Sequence, residues 1–141
     1  NLLSNWGQAI KLAPEYSWLE AGSGSNIEIS DNVITACHDA AIAVYAYGGN
    51  KETAPAGAHK NIIISGNTIG SSTNPAIAVI SVKGLKLKNN KIESPNNDYL
   101  LPWVKQNFGR REDPWREIYL ENVEGVAVGI DDKKKTINLM E

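Results

Sequence analysis

The chain has 141 residues, 42% hydrophobic and 21% charged, which fits one soluble globular domain and excludes a disordered chain. Lys and Arg number 14 against 16 Asp and Glu, a net charge of −2 that argues against a broad nucleic-acid footprint. No apolar run approaches the roughly 18 residues of a membrane span, and the single Cys37 excludes an internal disulfide framework.

The chain starts at Asn1, with neither an initiator methionine nor a leader pattern behind it. It is therefore expected to be processed or excised from something longer, and the missing leader says nothing about compartment. Ala9-Ile10-Lys11-Leu12 reads as a short strand, followed by an extra stretch, Pro14–Ser23. Asn26-Ile-Glu-Ile-Ser-Asp-Asn32-Val-Ile34 then opens a pattern that recurs as Asn61-Ile-Ile-Ile-Ser-Gly-Asn67-Thr-Ile69 and as Gly84-Leu-Lys-Leu-Lys-Asn-Asn90-Lys-Ile92. In each copy apolar residues alternate ahead of an Asn, the signature of a half-buried strand. Ile27, Ile29, Ile62, Ile64, Leu85 and Leu87 are expected inside, with Glu28, Ser30, Ser65, Lys86 and Lys88 outside; Ile63 breaks the outward pattern.

A second unit follows each Asn. Ala41-Ile-Ala-Val44 matches Ala76-Ile-Ala-Val79, and Ala9–Leu12 has the same form, which makes Asn1 the first of the ladder asparagines. Asn1, Asn32, Asn67 and Asn90 are spaced 31, 35 and 23 residues apart, and the excess collects at one phase, in Pro14–Ser23 and Tyr47–Lys60. Short strands, Asn and Gly turns and a repeat of about 20–25 residues predict an all-β parallel β-helix. An antiparallel sandwich explains the alternation but not the clustering of insertions. The ladder corner wants a residue that accepts left-handed geometry and has an amide to share, and Asn supplies both.

Beyond Asn90, Ser94–Asp98 is a turn, and Tyr99-Leu-Leu-Pro-Trp103 falls where the next second-type strand belongs. Ile118–Asn122 resembles the ladder strand shifted by one residue, Gly125–Ile130 is strand-like, Asp131–Lys135 is a charged turn and Thr136–Met140 is a last strand. The expected organisation is one domain, with coils over 1–95 and a last coil plus irregular cap over 96–141, about four coils in all.

The repeated Asn-Ile-x-Ile-x-x-Asn-x-Ile unit resembles the right-handed parallel β-helix proteins of the pectate-lyase-like superfamily. A narrower likeness, over Trp18-Leu-Glu20-Ala-Gly22, the Asn26–Asn32 strand and Cys37, is to the β-helical α-galactosidases of glycoside hydrolase family 110. The resemblance implies the C-terminal part of a secreted or periplasmic bacterial carbohydrate-active protein, with a carbohydrate as partner and the missing part of its own helix, or a second copy, stacked on the open first coil.

The insertions are the natural place for a binding wall, because loops on a rigid scaffold carry function. Tyr16, Trp18, Tyr45, Tyr47 and His59 are candidate sugar contacts, and Glu15, Glu20 and Asp39 are candidate catalytic carboxylates. Two carboxylates about 5–9 Å apart would suit glycoside hydrolysis. Against this stand a packed Trp18, solvated glutamates and an Asp39 that caps local backbone. Cys37 reads as an inert buried thiol, and Asp131-Asp132 beside three lysines does not suit calcium. No phosphate loop, nucleophile elbow or zinc-protease motif is present, and no cofactor or metal is expected. Three functions remain: a glycoside hydrolase acting through a carboxylate pair, a non-catalytic carbohydrate-binding or adhesin-like module, and a structural solenoid segment. A polysaccharide lyase is a further alternative.

Overall fold

A computed structural model describes residues 2–5, 7–14, 22–37, 39–46, 53–73, 75–96, 117–130 and 136–139. They form twelve strands: β1 (Leu2–Asn5), β2 (Ile10–Leu12), β3 (Ser25–Ser30), β4 (Val33–Cys37), β5 (Ile42–Val44), β6 (His59–Ser65), β7 (Thr68–Thr73), β8 (Ile77–Lys88), β9 (Lys91–Asn96), β10 (Ile118–Glu124), β11 (Ala127–Val128) and β12 (Thr136–Leu139). The architecture is all-β, and every pairing among these strands is parallel.

The strands fall into three columns. The first runs β1-β4-β7-β9. The second runs β2-β5-β8-β10-β12, and the third joins β3 to β6, β6 to β8 and β8 to β11. The strand β8 belongs to two columns because its twelve residues run unbroken. In the two preceding repeats the extra residues after Leu12 and Val44 split the same stretch into two strands. The continuous β8 thereby fuses the second and third columns into one curled sheet.

Register places like on like. Ile10, Ile42, Ile77 and Ile118 are successive partners, as are Ile29, Ile64, Leu87 and Val128. A slip of one residue would turn every one of these apolar side chains to the opposite face, so burial fixes the register. The middle layers are fully enclosed, with Ile34, Ile42, Ile62, Ile64, Ile69, Ile77, Leu85 and Ile118 at 0% exposure. In the first and last layers Ile10, Leu12, Ile27, Ile92, Val126 and Val128 are only partly buried against that core.

The ladder asparagines do form a column. Asn32 Nδ2 donates to Asn67 Oδ1 at 2.9 Å, and Asn67 Nδ2 donates to Asn90 Oδ1 at 3.0 Å. Left-handed backbone, however, belongs to the residue before each one: Asp31 (φ 53°), Gly66 (φ 64°) and Asn89 (φ 58°). The two properties expected of one residue are divided between neighbours. A short polar residue or glycine turns the chain, and the next residue, an Asn, uses its amide.

The C-terminal strands correct two sequence expectations. Ile118–Asn122 is not a shifted ladder strand; Ile118, Tyr119 and Leu120 pair with Ile77, Ala78 and Val79, the second-type strand. The ladder-strand position is taken by Gly125–Val128, with Ala127 and Val128 opposite Lys86 and Leu87. The Ile118–Leu120 triplet thus occupies the place assigned to Tyr99–Trp103, which lies outside the described residues. The error came from matching the Asn at 122 to a ladder position. Asn122 instead has left-handed backbone (φ 49°), like Ser81 (φ 64°) one strand below.

Candidate functional site

On the outer side of the third column an open groove of about 370 Å³ crosses the strands. One row along it is Glu28, Ile63, Lys86 and Ala127, residues in register on β3, β6, β8 and β11. The second row is Asn26, Asn61, Gly84 and Gly125, and all four have left-handed φ angles, of 55°, 54°, 78° and 64°. The bend repeated at this level in each strand sets the concavity. Asn61 Nδ2 donates to Asn26 Oδ1 at 2.9 Å, a second, exposed amide pair. A Cβ at Gly84 would stand 2.8 Å from Asn61 Oδ1, so glycine both adopts the bend and leaves room for the amide. Ile63 is the outward-facing apolar residue that breaks the alternation; it is half-buried in this groove. Ser30 Oγ donates to Glu28 Oε1 at 2.6 Å, which steadies the carboxylate at one end.

Of the sequence-derived site residues, Asp39, Tyr45 and His59 are described; Glu15, Tyr16, Trp18, Glu20 and Tyr47 lie outside the described residues. His38 does too. Asp39 and Tyr45 flank β5 in the second column, and His59 opens β6 in the third, on the strand that brings Asn61 and Ile63 to the groove. His59 is 1% exposed, and its ring is held at both nitrogens. Gly24 N donates to Nδ1 at 3.0 Å, which fixes the proton on Nε2, and Nε2 donates to Tyr45 O at 3.0 Å. The imidazole therefore bridges two loop backbones in one neutral tautomer, with no nitrogen left for a ligand. The Tyr45 side chain is buried, with the Lys11 ammonium 5.7 Å from its ring centroid.

Asp39 is 5% exposed and caps backbone, as the more conservative sequence reading has it. Its Oδ1 accepts from Ala40 N at 2.7 Å and its Oδ2 from Gln8 Nε2 at 2.9 Å, tying one repeat to the one before it. Burial raises the carboxyl above the ordinary aspartate value, opposed by the Ala40 N–H and the Lys11 charge.

The outer face of the second column is closed rather than open. Ala43 and Ala78 face away from the core cluster yet are 0% exposed, and Tyr119 is 3% exposed. One strap over this region is visible: Ala54 N donates to Ala46 O at 2.9 Å, Thr53 Oγ1 donates to Glu121 Oε1 at 2.8 Å, and Asn122 Nδ2 donates to Ala54 O at 3.1 Å. Cys37 is buried and in no disulfide. Among the described residues no three His, Cys, Asp or Glu side chains come together as a metal site.

The groove was not found from sequence. Its one signal was Ile63, an apolar residue at an outward position. The lining comes from four strands whose alignment is known only once the register is known. No protein-family model, no curated protein and no solved structure matches the chain.

Proposed function

We propose that the chain winds as about four coils of a right-handed parallel β-helix and serves as the glycan-binding part of a secreted carbohydrate-active protein of pectate-lyase-like type. The observation that carries this reading is the groove along Asn26, Asn61, Ile63 and Gly84. A ligand lying along the stack meets a new strand about every 4.8 Å, close to the length of one sugar ring. At each step it finds an amide or an accessible glycine backbone for its hydroxyls, and the Ile63 side chain offers an apolar surface to a ring face. A glycan array followed by titration calorimetry tests it. Ile63→Asp and Asn61→Ala should each weaken a captured glycan by roughly tenfold, and an empty array, or affinities untouched by both variants, would refute it.

A further inference from the structure

Among the described residues β1, β2 and β3 each pair on one side only, so one end of the stack presents three strand edges. The apolar layer at that end is incompletely covered. Ile10, Leu12 and Ile27 are partly buried, whereas their register partners Ile42, Val44 and Ile62 are 0% exposed. The opposite end is blunted. Its β11 is two residues long, its β9 carries Pro95, and its β12 sets Thr136 and Asn138 at the register positions of Ile118 and Leu120. Short strands, proline and polar residues in an apolar column all discourage further pairing.

Backbone direction and charge decide what fits the open edges. Ile10 N donates to Ala41 O at 3.1 Å and Leu12 O accepts from Tyr45 N at 2.9 Å, so strand alternation directs the Lys11 N–H and C=O to the outside. Asp31 N donates to Ser65 O at 3.0 Å, and by the same alternation Ile29 and Ile27 face β6 while the Glu28 N–H and C=O are directed outward. Lys11 and Glu28 are the charged residues of β2 and β3, and both are exposed.

We propose that two copies of the chain join at this end about a two-fold axis, with β1 antiparallel to its own copy and β2 antiparallel to β3 of the second copy. A two-fold axis across the stack pairs one column with itself and exchanges the other two. Self-pairing of β2 sets Lys11 against Lys11, and self-pairing of β3 sets Glu28 against Glu28. Self-pairing of β1 instead sets Lys11 against Glu28, twice by symmetry, which is the favourable cross-strand arrangement. In that register Ile10 lies opposite Ile29 and Leu12 opposite Ile27, all on the core side. The two apolar cores become continuous, and the blunted ends stay outermost, so the assembly closes at two copies.

Sedimentation equilibrium of the full chain should give twice the 15.3 kDa chain mass at a concentration of about 100 μM. Lys11→Glu and Glu28→Lys should each weaken the dimer at least about tenfold, since each brings like charges into contact twice. Lys11→Glu/Glu28→Lys should restore it, and an equimolar mixture of the two single variants should pair as well as the parent chain. Both positions are exposed, so circular dichroism of every variant should match the parent. Lys91→Glu, on β9 at the blunted end, should leave the mass unchanged. A monomer at that concentration, the outcome if the open end is reserved for a coil of another polypeptide, overturns the proposal. Growth beyond two copies, a dimer indifferent to both single variants, or a double variant that stays monomeric overturns it equally. None of these outcomes bears on the glycan-binding reading, which the array tests.

Discussion

Asn67 gives Asn90 two hydrogen bonds on one oxygen: its backbone N donates to Asn90 Oδ1 at 3.3 Å and its side-chain Nδ2 donates to the same atom at 3.0 Å. Asn32 treats Asn67 the same way, at 3.1 and 2.9 Å, and Asn67 Nδ2 also reaches Ile29 O at 2.9 Å. Each buried amide thus satisfies the turn of the repeat before it, and the column acts as a polar spine beside the apolar core.

Removing the middle of that spine should be expensive. Asn67→Ala removes the oxygen that accepts from Asn32 N and Asn32 Nδ2 and the amide that donates to Ile29 O, in a region where Asn67 is 0% exposed. For three buried hydrogen bonds at roughly 1 kcal/mol each, a loss of about 3 kcal/mol in urea unfolding is expected. A loss below about 1 kcal/mol would show that the column is ornamental.

The turn before each ladder residue makes a separate prediction. Gly66 has φ 64° and occupies the place that Asp31 and Asn89 hold in the adjoining repeats. Gly66→Ala should destabilise by about 1–2 kcal/mol, because alanine resists left-handed backbone. Gly66→Asn should cost distinctly less, although both add a Cβ toward the mobile Asp31 carboxylate tip. Equal midpoints for the two variants would remove backbone conformation as the reason for glycine here.

His59 is expected to matter for stability rather than for chemistry. His59→Phe keeps a ring in the buried space and removes the hydrogen bonds to Gly24 N–H and Tyr45 C=O, both at 3.0 Å. A loss of about 1–3 kcal/mol follows from the two hydrogen bonds. Glycan affinity measured where the variant remains folded should be unaltered, since the ring nitrogens face backbone.

Asp39 gives a signed pH dependence. Burial holds its folded-state carboxyl above the ordinary value of 3.8, so the folded chain binds this proton more tightly than the unfolded chain does. Its contribution is fully favourable below that value, declines as pH rises through the raised one and stays flat above it. Asp39→Asn keeps an oxygen for Ala40 N and removes the titration. Urea midpoints taken across about pH 3 to 7 should therefore fall less with rising pH in the variant than in the parent chain; parallel curves would contradict the assignment.

The parallel columns, the inward set Ile29, Ile62, Ile64, Leu85 and Leu87, and the asparagine column were legible in the sequence. All of them are local patterns repeated at recognisable intervals, and stacking identical residues is what makes the repeat visible. The division of labour between Asp31 and Asn32, or Gly66 and Asn67, was not legible, because either neighbour accepts a turn and only dihedral angles tell which one does. The placement of Ile118–Leu120 was missed for a related reason: after Asn90 the interval changes, and without a constant period a short apolar triplet fits either type of strand. The groove was decided by tertiary structure alone. Glu28, Ile63 and Lys86 are far apart in the chain and unlike one another, and only the parallel register, held by the burial of their alternate neighbours, sets them side by side.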